Sequence, residues 1–166
     1  MNKNLSRVLV WFFPLLFIQI FVLDPYLLGL KYVPFIYILL FIYIPNNYPK
    51  WLVLIIGFFT GFLIDFSNYY GGIHAICCLI ICFLRPNILK IIFGDVLNTN
   101  DIKIEKESFF NKLKYLSLVV LIHHLFIYLF IVFDLKKSML ILESFFINSL
   151  ITIVICSLII ILTNKK

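Results

Sequence analysis

Asp65 and His74 carry the only carboxylate and the only imidazole between Trp51 and Leu84, and they sit where two apolar runs meet. The runs, 51–66 and 73–84, are joined by a six-residue break, Ser67 to Gly72, and contain no Lys or Arg. If both are membrane helices, they form a hairpin whose two ionisable groups face each other across the tight end. A carboxyl at membrane depth is costly unless it is paired or functional. Two readings follow. Asp65 and His74 form a substrate-gating or partner-contact site at the outer surface. Alternatively, Asp65 accepts hydrogen bonds from His74, or from the free backbone N–H groups and positive dipole end of the second helix, and pins the hairpin.

His123 and His124 are the other imidazoles. Adjacent helical residues point about 100° apart, so the two cannot face one metal ion, and no His-x3-His spacing exists. One of them is expected to join an interior network, one turn from Tyr128; a proton relay is the alternative for such a residue. Cys77, Cys78, Cys82 and Cys156 all lie inside apolar runs without C-x-x-C spacing, and are read as small core residues. No nucleophile with an adjacent base, catalytic carboxylate pair, H-E-x-x-H motif or phosphate-cradling Gly loop is present. The chain is therefore expected to be non-enzymatic, with no cofactor and no metal.

These residues must be positioned by membrane helices. Of 166 residues, 63% are hydrophobic and 13% charged, and mean hydropathy is +1.09; soluble domains run nearer ~45–50% apolar and ~25% charged. The fold class expected is an all-α integral membrane protein, a single compact bundle of about six helices over 8–23, 33–44, 51–66, 73–93, 115–133 and 139–162. A run of 12 residues rises only ~18 Å against a hydrocarbon core of ~30 Å, so 33–44 and 73–84 must borrow flanking residues, thin the bilayer or fail to span. Lys3 and Arg7 precede an apolar core as in a signal peptide, but with no small-x-small cleavage site 8–23 is read as a retained first helix.

The net charge of +6 does not indicate nucleic acid. With six spans and the N-terminus inside, eleven of the fourteen Lys and Arg fall on the cytoplasmic side and three outside, at Lys31, Lys136 and Lys137. That distribution follows the orientation rule of membrane insertion. Five spans would put the basic 85–114 segment outside; four spans satisfy the rule nearly as well as six. Segment 94–114 is the one sizeable polar piece, read either as an interfacial amphipathic element carrying Phe109 and Phe110 or as a solvated connector. Pro14 is expected to kink the first helix.

Two periodic features complete the pattern. Gly57, Gly61 and Asp65 fall on one i, i+4, i+8 line, a smooth face on which another helix can approach closely. Gly71, Gly72 and Ala75, the chain's one alanine, lie just across the break. Ser144, Asn148, Thr152 and Cys156 recur every four residues in the last run, a stripe expected to face the bundle because lipid offers no hydrogen bonds. Glu143, near the outer end, is expected to snorkel toward Lys136 and Lys137.

A Gly-rich apolar helix ending in Asp65, a short loop, then Gly72-Ile73-His74-Ala75 and a helix closing in Arg85-Pro86 resembles the rod shape-determining protein MreD family. The resemblance covers most of the chain in length and hydrophobic layout and is sharpest from Asp65 to Pro86. It implies a bacterial inner-membrane protein embedded in the lipid bilayer, and the six-span charge distribution puts both of its termini on the cytoplasmic side. Such a subunit pairs with the bitopic protein MreC and, through it, joins MreB filaments to peptidoglycan polymerases. It also implies a fold similar to the substrate-binding subunits of energy-coupling-factor vitamin transporters. Those subunits are the alternative function; they offer small residues, often Ala-x3-Ala, on the first helix, whereas 8–22 here (VLVWFFPLLFIQIFV) contains neither Ala nor Gly.

Overall fold

A computed structural model describes residues 3–24, 32–94, 104–131 and 138–163 of the protein. Among these residues it is all-helical. Helix α1 runs Lys3–Phe17 and continues as a π-helical segment, Ile18–Leu23. Helix α2 is short, a 3-10 turn over Ile36–Leu39 passing into one α-turn over Leu40–Tyr43. The long helices follow: α3 over Lys50–Asn68, α4 over Ile73–Phe93, α5 over Phe109–Ile131 and α6 over Ser138–Thr163. Four of them, α3 to α6, are long and apolar enough to cross a membrane. The chain is a membrane protein built as a helical bundle.

The differences from the sequence reading have local causes. The second run is helical over 36–43 rather than 33–44, because Pro34 lacks an N–H and disfavours the helical region for Val33 before it. The fifth helix begins at Phe109 instead of 115, absorbing the end of the polar connector, and a 3-10 turn, Ile104–Lys106, precedes it with Ile104 buried. Phe109 and Phe110 thus lie on the first turn of α5, both exposed. Pro14 lies within α1, and past it the hydrogen-bond ladder widens into the π-helical segment. Glu143 accepts a hydrogen bond from Tyr32 Oη at 2.7 Å; Lys31, Lys136 and Lys137 lie outside the described residues.

Every residue of α2 is buried, from Ile36 to Tyr43, and with Ile44 it forms the centre of the hydrophobic core. Contacts at its two ends give the direction of each element. Its start lies beside Gln19 of α1 and Thr152 of α6, its end beside Trp11 of α1, whose indole stacks on Tyr43 at 4.0 Å. Asp24, past the end of α1, meets Asn68 at the end of α3. Arg85, in the second half of α4, reaches Ile44 O past the end of α2. Successive elements from α1 to α4 therefore alternate in direction. Helix α6 runs from the Tyr32 end, at Glu143, toward the Tyr43 end, where Thr163 and Tyr43 line the same pocket.

Helices α3 and α4 approach closely. A Cβ at Gly57 would run into Cys82 Sγ and crowd Cys78 O at 3.2 Å, while one at Gly61 would run into the backbone of His74 and Ala75. The two glycines thus set the interhelical distance, with Gly61 lying against the backbone of His74 and Ala75. Because the obstacle at Gly57 is a side chain, Gly57→Ala should be rescued by Cys82→Ala in a double-mutant cycle. Gly61→Ala, opposed by backbone, should lose ~1–3 kcal/mol by overpacking and find no such rescue. Denaturant titration of the folded protein in micelles measures both; additive costs for Gly57→Ala and Cys82→Ala would refute the contact.

Candidate functional site

The hairpin end of α3 and α4 is closed by one carboxylate. Asp65 Oδ1 accepts the backbone N–H of His74 at 3.0 Å, and Oδ2 accepts that of Ala75 at 2.8 Å. These are among the N–H groups at a helix start that have no partner within the helix. The turn that brings them over the carboxylate needs left-handed backbone at three places, Tyr69 (φ 59°), Gly71 (φ 68°) and Gly72 (φ 94°). Glycine takes that conformation without strain, and Tyr69, the exposed C-cap of α3, is the exception. Of the two readings of Asp65, the geometry contains the backbone-accepting one. The His74 ring does not touch Asp65; it turns inward.

That ring joins a buried cluster under the hairpin. Tyr37 Oη lies 2.6 Å from His74 Nδ1 and 3.1 Å from His123 Nε2. Cys78 Sγ is 4.0 Å from the same His123 nitrogen. His124 Nδ1 faces Val120 O at 2.9 Å, so this nitrogen carries the proton; Nε2 then accepts from Thr152 Oγ1 at 3.4 Å. Thr152 Oγ1 in turn accepts the backbone N–H of Phe35 at 3.2 Å. The Phe35 ring fills the middle, with centroids 5.1 Å from His74, 6.1 Å from His123 and 5.2 Å from His124. Sequence spacing alone brings one of the adjacent histidines inside; here both are buried, because α2 and α6 each cover one of the two directions.

A second set of polar groups stands beside it. Gln19 Oε1 accepts the backbone N–H of Ile36 at 2.8 Å, and its Nε2 donates to Asp24 Oδ1 at 2.7 Å. Asn68 Nδ2 donates to Asp24 Oδ2 at 2.6 Å. The stripe on α6 faces inward: Asn148, Thr152 and Cys156 are buried and Ser144 half-buried. Asn148 Nδ2 donates to Tyr128 Oη at 2.6 Å.

Of the residues singled out in the sequence, Gly57, Gly61, Asp65, Gly71, Gly72, His74 and Ala75 belong to one hairpin, with His74 also in the cluster. Thr152 reaches the cluster directly, and Asn148 lies one turn nearer the start of α6, on Tyr128. Tyr37, Gln19, Asp24 and Phe35 were not singled out. Gln19 carried a usable signal, as the lone amide in the apolar run 8–23. Tyr37 carried none, since the chain has nine tyrosines. Among the described residues no three His, Cys, Asp or Glu side chains are placed to hold a metal ion.

The bundle and its buried polar interior define an all-helical membrane protein. Comparison with protein families, with curated proteins and with solved structures finds no match.

The bidentate geometry sharpens what substitution of Asp65 should do. An asparagine offers one acceptor oxygen and turns an NH2 group toward the second backbone N–H, so it is not the tolerated replacement that a single hydrogen bond would suggest. Asp65→Asn should cost ~1–3 kcal/mol, the range for a buried donor left unsatisfied, and Asp65→Leu more, because both donors are orphaned. Quantifying folded protein in the membrane fraction orders the variants; wild-type levels for Asp65→Leu would show that the two hydrogen bonds do not hold the hairpin.

Proposed function

We propose that this chain is a non-enzymatic membrane subunit of the bacterial cell-wall elongation complex, as its resemblance to the MreD family implies. In this reading it pairs with an MreC-like bitopic protein and, through it, with MreB filaments and peptidoglycan polymerases, organising wall synthesis and regulating cell shape. It lies in the inner membrane with both termini cytoplasmic and contacts no nucleic acid. The observation that carries the reading is the stretch from Asp65 to Pro86. The residues that make the resemblance are the ones with fixed work in the bundle: Asp65 on two backbone N–H groups, Ala75 under Gly61, and Arg85 on Ile44 O.

Six crossings, with the compact arrangement of energy-coupling-factor substrate-binding subunits, accommodate the alternating directions of α1 to α4. The second crossing is then made by a segment too short for an ordinary spanning helix. Residues 32–35, drawn out at up to ~3.3 Å per residue, with four 3-10 and four α residues at ~2.0 and ~1.5 Å, reach roughly 27 Å at most. Non-helical backbone at membrane depth is tolerable only inside protein, and here Thr152 and Gln19 take up the N–H groups of Phe35 and Ile36.

Affinity purification of the chain from its native membrane should bring down an MreC-like protein. Recovery of a transporter ATPase instead would overturn the reading in favour of vitamin capture. Single cysteines introduced at Asn68 and Lys50 should label from outside and inside respectively, since the four native cysteines are buried; outside labelling at Lys50 would invert the topology.

A further inference from the structure

Lys112 stands where a lysine is least favoured. It lies in the first turn of α5, at the positive end of the helix dipole, and that turn holds no acid. It is also only 4% exposed, and lysine is almost never so buried unless something answers its charge. Glu107, the nearer acid in sequence, is engaged by Asn111, whose Nδ2 donates to Glu107 Oε2 at 3.2 Å.

Lys112 and Glu105 both line one cavity of about 180 Å³. Trp11 of α1, Tyr43 of α2, and Ile160 and Thr163 of α6 form its other walls, with Ile42 beside Tyr43. Ile42 and Ile160 are buried and Thr163 is exposed, so the cavity opens where α6 ends. The Thr163 hydroxyl donates to Ile159 O at 2.8 Å, which leaves its oxygen able to accept.

We propose that this cavity binds the phosphoethanolamine headgroup of a membrane phospholipid, with the phosphate on Lys112 and the primary ammonium on Glu105. The charges select the ligand. Among the described residues the walls carry one cation and one anion, so a headgroup bearing one of each meets an opposite charge at both ends, whereas a purely anionic one also meets the carboxylate. The acceptors select the ammonium. A primary ammonium brings three N–H donors for Glu105 and Thr163, while the trimethylated ammonium of a choline headgroup brings none and needs more room. The depth selects a lipid. The end of α2, the first turn of α5 and the end of α6 all meet here, and Trp11 stacked on Tyr43 is the aromatic pairing suited to the membrane–water interface. The site stands apart from the hairpin: none of its residues falls between Asp65 and Pro86, and its ligand does not depend on the cell-wall role.

The test uses the full chain in nanodiscs of equimolar phosphatidylethanolamine, phosphatidylglycerol and phosphatidylcholine with matched acyl chains. Native mass spectrometry reads the lipid retained after release. Phosphatidylethanolamine should be retained over each of the others by about tenfold, the scale of one charge-assisted hydrogen bond. Equal retention of the three would show annular lipid only, with Lys112 and Glu105 serving as a structural pair, and overturns the proposal. Glu105→Gln leaves the lysine in place, so the retained lipid should shift toward phosphatidylglycerol; an unchanged preference in this variant also overturns it. Lys112→Met, similar in length, should lose the preference altogether. Should Lys112→Met fail to fold, the wild type and Glu105→Gln decide the matter by themselves. Binding of free phosphoethanolamine in detergent, with no phosphatidylethanolamine retained from the nanodiscs, would make the ligand a soluble zwitterion and overturn its assignment to a lipid.

Discussion

A short helix buried on all sides must have its end groups answered by other parts of the chain, and most of this bundle is arranged to do so. Helix α2 has too few residues for its N–H and C=O groups to pair internally, and no water reaches it. At its start, Thr152 and Gln19 accept the N–H groups of Phe35 and Ile36. At its end, Tyr115 Oη donates to Phe41 O at 3.3 Å and Arg85 donates to Ile44 O. These partners come from four different helices, α1, α4, α5 and α6. An unanswered buried group costs on the order of 1–3 kcal/mol, so the four helices are tied to one register around α2.

The hairpin of α3 and α4 applies the same principle at a helix start. Gly57 and Gly61 remove the side chains that would hold the helices apart, and the close approach puts Asp65 within reach of two N–H groups of α4. His74 is thereby held with its backbone on α3's carboxylate and its ring on α2's tyrosine. One residue couples the hairpin to the core. The proposed role in cell-wall elongation rests on this stretch.

Polar groups inside the bundle fall into two kinds. Thr152, Gln19 and Asp65 satisfy backbone, and a substitution there acts on stability. Tyr37, His74 and His123 bond mainly to one another, and their hydrogen bonds can run in either direction.

Much was legible in the sequence. Composition and run length determined an all-helical membrane protein, because a segment of some twenty apolar residues without charge has few other stable states. Four-residue spacing determined that Gly57, Gly61 and Asp65 share a face, and that Asn148, Thr152 and Cys156 do, because helical periodicity is local. Only the tertiary structure decided what those faces meet. That Asp65 takes two backbone donors, that both adjacent histidines are buried, and that Tyr37 lies between His74 and His123 depend on contacts between residues 9 to 86 positions apart. The short second run is the clearest case. Its length and Pro34 were visible in the chain, but whether so short a helix can lie wholly inside protein depends on the Gln, Thr, Arg and Tyr that four other helices bring to its ends, and no local pattern records that.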